Sequence, residues 1–424
     1  MQRLTRVALV MFVVACFAAA ASAETIVFWH WYTADRYAYL EPLIEKFEAE
    51  TGITVEAQMY PWTEMAEKLV VGLAGGVAPD VFAVSSITSA PLVFQGVYTD
   101  LRPFIENETE YDFSDLLPNA LERWQTPEGM QFAFPFDLDL LALFYNKAIF
   151  DQAGMPYPTD DFTWEATLEQ GKRLTVDRDG DGLPDQYGFA NGHISLDTFV
   201  WAYGGELISP DYTTHGLGTP EARAGLEMFH DLSQADVNMA WGDASRFGYP
   251  HPPAAFGGGL IAMYPIGAWA PSAFWKDAAT GQYTVDFDAV LIPGAEEGGK
   301  ALPLEGQGLA IMSTSDKKDA AWEFIKFMVS EEVQTVSGRD LGQFPVLRSV
   351  AVSDDAFLVP GEPPANKRAL IEASMYARFH PVHANWEAAW TTIRQQVSTY
   401  LAGTQALSNV IQTLDELIPG ILAR

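Results

Sequence analysis

The chain is poor in cysteine and in positive charge. Its 424 residues include one cysteine, Cys16, and only 25 lysines and arginines against 56 aspartates and glutamates. Because no cysteine follows residue 16, the rest of the chain forms no internal disulfide and offers no thiol nucleophile. The formal net charge of −31 argues against nucleic acids and anionic lipid surfaces as partners.

Apolar runs long enough to cross a membrane are also missing after the N-terminal segment. No later stretch reaches the roughly 18 consecutive apolar residues that a spanning helix needs. The sequence has no repeat of solenoid period, no low-complexity linker, no phosphate-binding loop and no G-x-S-x-G nucleophile motif. Hydrophobic residues nevertheless make up 48% of the chain, which is ample for packed cores in two or three domains or two lobes.

Residues 1–23 have the features of an export signal. Arg3 and Arg6 precede an apolar run at residues 7–20, and Ala21-Ser22-Ala23 fits an A-x-A cleavage site. Cleavage there removes two arginines and no acid, which leaves 23 basic and 56 acidic side chains and a formal charge of −33. We therefore expect an exported protein in the periplasm or another extracytoplasmic compartment.

Cys16 leaves a second interpretation of the same segment open. Val13-Val14-Ala15-Cys16 loosely fits the cleavage site of a bacterial lipoprotein signal, in which the cysteine is acylated and tethers the protein to a membrane. Against this, an apolar strand-like run begins at Thr25, two residues after Ala23, and leaves little chain for a tether. We expect soluble release, with lipid anchoring at Cys16 as the alternative.

Short and long apolar segments alternate along the remaining chain. Runs of about five apolar residues indicate buried strands, and longer segments with helical spacing indicate amphipathic helices. The predicted strands are 25–29, 53–57, 132–136, 140–145, 260–264, 290–293 and 308–312. The predicted helices include one that ends at Gly52, one at 319–330 and one at 386–401 that Gly403 terminates. The alternation predicts α/β layers in two lobes joined by short crossings.

An ordered set of motifs resembles the bacterial extracellular solute-binding proteins of family 1, the maltose-binding-protein-like receptors of carbohydrate ABC transporters. The resemblance spans residues 24–424 and rests on Phe28-Trp29-His30-Trp31-Tyr32, Ala78-Pro79-Asp80-Val81-Phe82, Phe134-Pro135-Phe136, Leu143-Phe144-Tyr145-Asn146-Lys147, Gly267-Ala268-Trp269 and Gly308-Leu309-Ala310-Ile311. It implies a type II-like periplasmic binding protein, a Venus flytrap of two α/β lobes with multiple hinge crossings that closes on its ligand.

The resemblance also implies a division of the chain and a function. We expect an N-lobe of residues 24–137 and 296–342, a C-lobe of residues 138–295 and 343–424, and crossings near 137–141, 292–296 and 338–346. The implied protein is a monomeric receptor and not an enzyme. It binds a sugar or oligosaccharide between the lobes and delivers this carbohydrate ligand to the membrane permease subunits of an ABC importer.

Aromatic and polar side chains at the ends of predicted elements are the candidates for sugar binding. Rings suit the apolar faces of a sugar, whereas carboxylates, amides and arginine suit its hydroxyls. Trp269 follows a predicted strand, and Trp390 and Arg394 lie at i and i+4 on one helix face. The resemblance implies ligand contacts for these residues and for Asp139. It also places Trp31, Thr33, Ser85 and Ser86 at the cleft.

Two positions qualify this assignment. Trp201 is a further candidate for the substrate site, although a place in the core accounts for a single tryptophan as well. Thr33-Ala34 stands where the resembling family has an acidic and a basic residue, which argues against maltose itself as the ligand.

Asp137 and Asp139 leave other functions open. Two positions apart on a strand, they share a face, and paired carboxylates can be the acid and base of a glycoside hydrolase. In a binding cleft the same pair accepts hydrogen bonds from sugar hydroxyls, which the resemblance favours. A secreted carbohydrate-active enzyme is the first alternative. The second is a receptor for a non-sugar such as glycerol phosphate, which would need clustered lysines or arginines besides Arg394.

The segment 177–185 has the pattern of a calcium-binding loop. It matches D-x-D-x-D-G with a further aspartate at loop position 9, and Gly182 permits the sharp turn. Gly188 stands where the pattern has its bidentate glutamate, so a remote carboxylate or water must complete the shell. We expect a structural calcium ion, and an acidic surface turn without metal is the alternative. The expected ligands are Asp177, Asp179, Asp181, Leu183 and Asp185.

Overall fold

The computed structural model describes residues 24–85, 89–117, 120–234, 236–277 and 279–423. The predicted signal at 1–23, with Cys16, and the candidate site residue Ser86 lie outside the described residues. None of the helices in the described parts of the chain is both long and apolar enough to span a bilayer.

Strands and helices alternate along the described chain, as the sequence pattern predicts. The strands are β1 (Thr25–His30), β2 (Thr54–Met59), β3 (Val81–Ser85), β4 (Phe134–Pro135), β5 (Asp137–Leu138), β6 (Leu141–Asn146), β7 (Tyr187–Phe189), β8 (Ile261–Gly267), β9 (Phe287–Leu291), β10 (Leu302–Pro303), β11 (Gln307–Ile311), β12 (Phe344–Pro345) and β13 (Ala377–Arg378). The helices of the first half are α1 (Ala34–Thr51), α2 (Met65–Gly75), α3 (Arg102–Asn107), α4 (Lys147–Ala153), α5 (Trp164–Leu174), α6 (Leu196–Ala202) and α7 (Pro220–Leu232). Those of the second half are α8 (Pro252–Gly257), α9 (Ala270–Phe274), α10 (Lys318–Met328), α11 (Glu331–Asp340), α12 (Arg348–Ala351), α13 (Arg368–Ala373), α14 (Trp386–Leu401) and α15 (Leu407–Leu422).

Two sheets form the centres of two α/β lobes. The first has the order β2-β1-β3-β11-β4, in which β1 runs parallel to β2 and β3, and β11 runs antiparallel to β3 and β4. The second has the order β7-β8-β6-β9, in which β6 runs antiparallel to both neighbours and β7 runs parallel to β8. Because β11 follows β9 in the chain but belongs to the first sheet, the chain returns to the first lobe after building the second sheet.

The first strand and helix show why this sequence folds as it does. Ile26 and Phe28 are fully buried on β1, in keeping with its apolar run. Helix α1 ends at Thr51, where Gly52 adopts a φ of 75° and its N–H donates to the carbonyl of Glu48. That turn leads into β2, which pairs in parallel with β1. The prediction that Gly52 ends this helix is confirmed.

Three crossings connect the lobes and lie against one another. The first crossing leads from β4 to β6 and contains β5, the second leads from β9 to β11 and contains β10, and the third contains β12. Strand β5 pairs with β12, with Asp137 opposite Pro345. Asp139 of the first crossing pairs with Glu305 of the second. The crossings therefore form one hydrogen-bonded hinge.

The residues at which each lobe begins and ends stay a prediction. After β12 the chain still contacts the first lobe, since the N–H of Leu117 donates to the carbonyl of Val346 at 2.8 Å. Helix α13 then packs against β9 and β6 of the second sheet, and α14 packs against α15. The passage from one lobe to the other is thus spread over several residues beyond position 343.

Candidate ligand-binding cleft

A cavity of about 420 Å³ lies where the two lobes and the crossings meet. Of the residues predicted to bind substrate, it brings together Trp31, Thr33, Ser85, Asp139 and Trp269. Asp137, which the sequence offered with Asp139 as a hydroxyl acceptor or a catalytic acid, also lines it. The sequence did not single out the remaining lining residues, which are Tyr32, Arg36, Trp62, His193, Glu305, Gly306, Gln307 and Gln343. The cavity therefore combines tryptophans with carboxyl, amide and guanidinium groups.

Strand direction explains how the first lobe supplies its share of the cavity. Trp31 and Thr33 directly follow β1, and Ser85 is the last residue of β3. Because β1 and β3 are parallel, their carboxyl ends meet at the same edge of the sheet, where ligands bind in open α/β sheets. Trp62, in a short 3-10 helix after β2, adds an indole that is 39% exposed.

The second lobe supplies Trp269 and His193. Trp269 comes two residues after the end of β8, and a Cβ atom at Gly267 would overlap its indole. Glycine at that position therefore lets the ring lie against the strand end. The imidazole of His193 meets the indole edge to face, with ring centroids 5.1 Å apart. Burial lowers the pKa of His193, so the imidazole in the cleft is neutral near pH 7.

Asp137 is a hinge residue in this structure. Its Oδ1 accepts the backbone N–H of Gln307 at 2.8 Å, and its Oδ2 accepts the side-chain amides of Gln307 and Gln343 at 2.5 Å each. The side chain is 5% exposed. Burial and the neighbouring Asp139 raise the pKa of Asp137, whereas the amide donors favour its charged form. One carboxyl group thus joins the first crossing to the start of β11 and to the third crossing, which leaves it little capacity to act on a ligand.

Besides Asp137, the carboxyl groups of Asp139 and Glu305 line the cavity. Burial raises the pKa of Asp139, and the nearby guanidinium of Arg36 opposes this shift. Burial, with Asp139 and Asp197 nearby, raises the pKa of Glu305 to about 8. Glu305 therefore carries a proton near pH 7 and can donate a hydrogen bond as well as accept one.

A second, narrower cavity adjoins the first at Glu305, which lines both. Trp390 lies here, stacked on Trp386 with ring centroids 5.7 Å apart and planes at 17°. The volume is about 40 Å³, which holds only a few water molecules. A sugar ring can enter this end only if the lobes separate.

The remaining predicted residues lie beside this narrow cavity and do not line it. The guanidinium of Arg394 is 5.7 Å from the centre of the Trp390 ring, and it pairs with Glu387 at 3.7 Å. Trp390 and Arg394 thus share a helix face, as their spacing predicts. Trp201 is 6% exposed, and its ring packs edge to face against His380 beneath the guanidinium of Arg378. In this conformation Trp201 is a core residue behind the cleft.

The predicted calcium loop brings three of its carboxylates together. Oxygens of Asp177, Asp179 and Asp185 all lie within 4.8 Å of one another. The carboxylate of Asp181 instead accepts the N–H of Leu183 at 2.8 Å. Hard cations prefer such oxygen ligands, so the cluster fits calcium chemically. Exposed acidic groups also cluster without metal, and calcium binding therefore stays a prediction.

Sequence reasoning missed residues that contact one another across long stretches of chain. Arg36, in the first turn of α1, and Gln343, on the third crossing, carry no local motif. Trp62 had the clearest signal, because an aromatic Tyr-Pro-Trp step follows a predicted strand. Asp137 and Gln307 are 170 positions apart, so no spacing rule connects them.

Comparisons with known proteins agree with this geometry. A family model described as bacterial extracellular solute-binding protein matches residues 30–335. The maltotriose-binding protein of Pyrococcus abyssi is 24% identical over 77% of this chain and 67% of its own length. An ABC substrate-binding protein of Listeria monocytogenes in complex with cycloalternan has a TM-score of 0.79 at 22% identity, over 94% of this chain and 99% of that one. UgpB of Mycobacterium tuberculosis with glycerophosphocholine has a TM-score of 0.76 at 20% identity, over 94% and 98%.

Proposed function

The chain belongs to the family of bacterial extracellular solute-binding proteins, and we propose that it binds a sugar or oligosaccharide in its interlobe cleft and delivers it to the permease of an ABC importer. The observation that carries the proposal is the cavity itself. It sets the indoles of Trp31, Trp62 and Trp269 around the hydrogen-bonding groups of Asp139 and Glu305. Indoles cover the apolar faces of a sugar, and carboxyl groups bind its hydroxyls.

Relatives with named ligands support the same substrate class. The maltotriose-binding protein and the cycloalternan complex both concern oligosaccharides. The cavity of about 420 Å³ is of a size usual for small-molecule sites, and the narrow cavity beyond Glu305 extends it. We propose that the ligand spans both cavities once the lobes adjust to it.

A receptor for a phosphate-bearing solute is the less favoured alternative. One structural neighbour is a glycerophosphocholine complex, but at 20% identity it shows the fold alone. A phosphate needs clustered basic groups. Here Arg36 is the only lysine or arginine among the described residues that line the large cavity, and it stands among Asp137, Asp139 and Glu305. One guanidinium among three carboxyl groups favours a neutral ligand rich in hydroxyls over a phosphate.

A glycoside hydrolase is disfavoured by the same geometry. Acid–base catalysis would require Asp137 or Asp139 to act on a glycosidic bond. Asp137 is instead held by the amides of Gln307 and Gln343 inside the hinge. We propose that the protein binds its ligand without converting it.

We also propose a location and partners. The family and the predicted signal at 1–23 support an extracytoplasmic protein that works with membrane permease subunits. We propose that it acts as a monomer. Soluble release stays our expectation, and acylation of Cys16 remains the alternative. Mass spectrometry of the exported protein distinguishes them, because an N-terminus at Glu24 means release and a lipidated Cys16 means anchoring.

A thermal-shift screen tests the substrate class. The purified protein is heated with maltose, maltotriose, diacetylchitobiose, an arabinooligosaccharide and sn-glycerol 3-phosphate in separate samples. A ligand that binds only the native state raises the melting temperature. At a ligand concentration a hundredfold above the Kd, the free energy of unfolding increases by about 2.7 kcal/mol. We expect a rise with at least one sugar and none with glycerol phosphate.

Product analysis after long incubation completes the test. Unchanged sugars support a receptor, whereas cleavage of any glycoside would show an enzyme. A rise with sn-glycerol 3-phosphate alone would contradict the sugar assignment and support the phosphate alternative.

A further inference from the structure

His380 lines the narrow cavity and lies at the centre of a partly buried chain of hydrogen bonds. Its Nε2 is 2.8 Å from Oδ2 of Asp197 on α6, and the indole Nε1 of Trp386 is 3.2 Å from its Nδ1. Asp197 and His380 are 183 positions apart in the sequence. The hydrogen bonds therefore connect a helix of the second lobe to the first residue of α14.

Hydrogen-bond chemistry fixes the proton on this histidine. A tryptophan indole N–H only donates, so Nδ1 of His380 must accept and carries no hydrogen. The ring proton is then on Nε2, where it donates to the carboxylate of Asp197. A doubly protonated imidazole would turn an N–H toward the N–H of Trp386. His380 in this arrangement is the neutral Nε2–H tautomer.

Asp197, at one end of this chain of hydrogen bonds, is itself held in place by neighbouring groups. It is 2% exposed, and its Oδ1 accepts the hydroxyl of Ser195 at 2.8 Å and the backbone N–H of Thr198 at 2.7 Å. These hydrogen bonds, with the one to His380, fix the orientation of the carboxylate.

The other end of the chain is an aromatic wall. The ring of His380 meets that of Trp390 edge to face at 4.6 Å, and Trp390 stacks on Trp386. Both indoles line the narrow cavity, opposite Arg123 and Pro91 of the first lobe. Because the N–H of Trp386 is used inside the protein, its ring offers the cavity an apolar face and no donor.

We infer that Asp197 and His380 are positioning residues, which set the paired indoles of Trp386 and Trp390 to receive the apolar face of a sugar ring. This inference rests on the proposed function, since it describes one end of the same cleft. Asp197 acts only through His380. His380 orients the indoles through its hydrogen bond with Trp386 and its edge-to-face contact with Trp390, and its own ring also borders the cavity.

A matched pair of substitutions tests the inference. His380→Gln keeps an amide donor for Asp197 and a carbonyl acceptor for Trp386, whereas His380→Phe keeps a ring without either. The first readout is the Trp386 indole signal in nitrogen-15 NMR of ligand-free protein, assigned by its loss in Trp386→Phe. We expect it unchanged with His380→Gln and moved to the position of an unbonded N–H with His380→Phe.

The second readout is affinity for the sugars in the thermal-shift panel, measured calorimetrically with maltotriose and diacetylchitobiose. We expect His380→Phe to weaken binding about fivefold or more, as loss of about one hydrogen bond does, and His380→Gln to restore it to within about twofold. His215→Phe is the control, because His215 also bridges a carboxylate, Asp415, and an N–H, that of Leu217, away from the cleft.

Several outcomes separate this inference from the proposed function. Imidazole nitrogen shifts that place the proton of wild-type His380 on Nδ1 would overturn the inference, and they decide it even if His380→Phe does not fold. An unmoved Trp386 signal in folded His380→Phe would overturn it as well. If no sugar binds the wild-type protein, the proposed function fails while the nitrogen shifts still decide the hydrogen-bond chain.

Discussion

Single tryptophans in this protein differ in role according to which groups surround the ring. Trp201 is 6% exposed and covered by His380 and Arg378, so it stabilises the second lobe. Trp269 borders the large cavity and meets His193 edge to face. An indole that faces a cavity from a strand end is available to a ligand, whereas the same residue inside a helix packing layer is not.

Truncation of Trp269 should therefore affect binding more than folding. We expect Trp269→Ala to cost about 2 kcal/mol of binding free energy, which is about a thirtyfold weaker Kd, because a buried aromatic anchor is lost. Calorimetry with the sugar identified in the thermal screen measures this change. Trp241→Ala is the control, since Trp241 is 61% exposed and does not line the cavity. Equal affinities in the two variants would remove Trp269 from the site.

Glu305 should give the stability of the protein a measurable pH dependence. Its pKa is raised to about 8 in the folded protein, from 4.5 in an unfolded chain, so the folded state holds the proton more tightly between these values. Its contribution to stability is complete below about pH 4.5 and is lost as the pH rises through about 8. The groups that set this pKa include Asp139, Asp197, Arg123 and Arg394.

Denaturant unfolding at a series of pH values checks this expectation. We expect the free energy of unfolding to fall between pH 5 and 8 in the wild type, and to fall less steeply in Glu305→Gln, which cannot lose a proton. Glu297→Gln, an exposed position on the same crossing, is the control. A slope that Glu305→Gln leaves unchanged would show that Glu305 is ionised in the native protein.

At the scale of helices and strands, local pattern predicted the elements and missed how they meet. Helix α14 was predicted at 386–401 and observed as Trp386–Leu401, because a periodic apolar face and a terminal glycine are local signals. Strand β9 begins at Phe287, three residues before the prediction, since acidic Asp288 interrupts the apolar run. Strand β4 is only Phe134–Pro135, because proline offers no N–H to a ladder.

The site was harder to predict than the elements for a physical reason. The family resemblance placed Trp31 and Ser85 at the cleft, and the position of Trp269 after a predicted strand agreed with it; all three line the cavity. Some carboxylates face the ligand, and others are hydrogen-bonded within the hinge. The difference depends on partners far away in the sequence, such as Gln307 and Gln343. Spacing holds no information on such pairs.

Asp137 shows how one side chain connects separate segments of the hinge. Asp137→Asn places an amide N–H₂ among the side-chain donors of Gln307 and Gln343, so at least one buried donor loses its acceptor. We expect the variant to lose about 1–3 kcal/mol of unfolding free energy, the cost of an unsatisfied buried group. Urea unfolding measures it, with exposed Asp355→Asn as the matched control. Equal stability of the two variants would contradict a hinge role.

The acidic loop at 177–185 makes a separate prediction at this scale. If calcium joins Asp177, Asp179 and Asp185, EDTA should lower the melting temperature and added calcium should restore it, with an affinity of about 10⁻⁴ to 10⁻³ M. The affinity is weak because Gly188 replaces the bidentate acid of the pattern. Asp179→Asn should reduce the calcium effect. An unchanged melting curve with EDTA, and no calcium in metal analysis, would show a metal-free turn.

At the scale of the whole molecule, the crossings decide which motions are available. Pairing of β5 with β12 and of Asp139 with Glu305 holds the crossings together, while the two sheets remain separate bodies on either side. Such a hinge allows one lobe to rotate relative to the other more readily than to slide past it. The narrow cavity of about 40 Å³ shows how little space remains between Trp390 and the first lobe in this conformation.

Ligand binding should therefore change the overall dimensions of the protein. A sugar that bridges Trp269 and the first-lobe residues stabilises the closed arrangement only as far as it binds that arrangement better than the open one. Small-angle scattering should give a smaller radius of gyration with saturating sugar than without, approaching about 21 Å for a compact chain of the length left after cleavage at Ala23. Trp269→Ala is the control, because its roughly thirtyfold weaker Kd should move the same compaction to a correspondingly higher sugar concentration. Identical profiles with and without bound sugar would mean that the lobes do not rotate, and the ligand would then have to enter a cleft that is already in its final form.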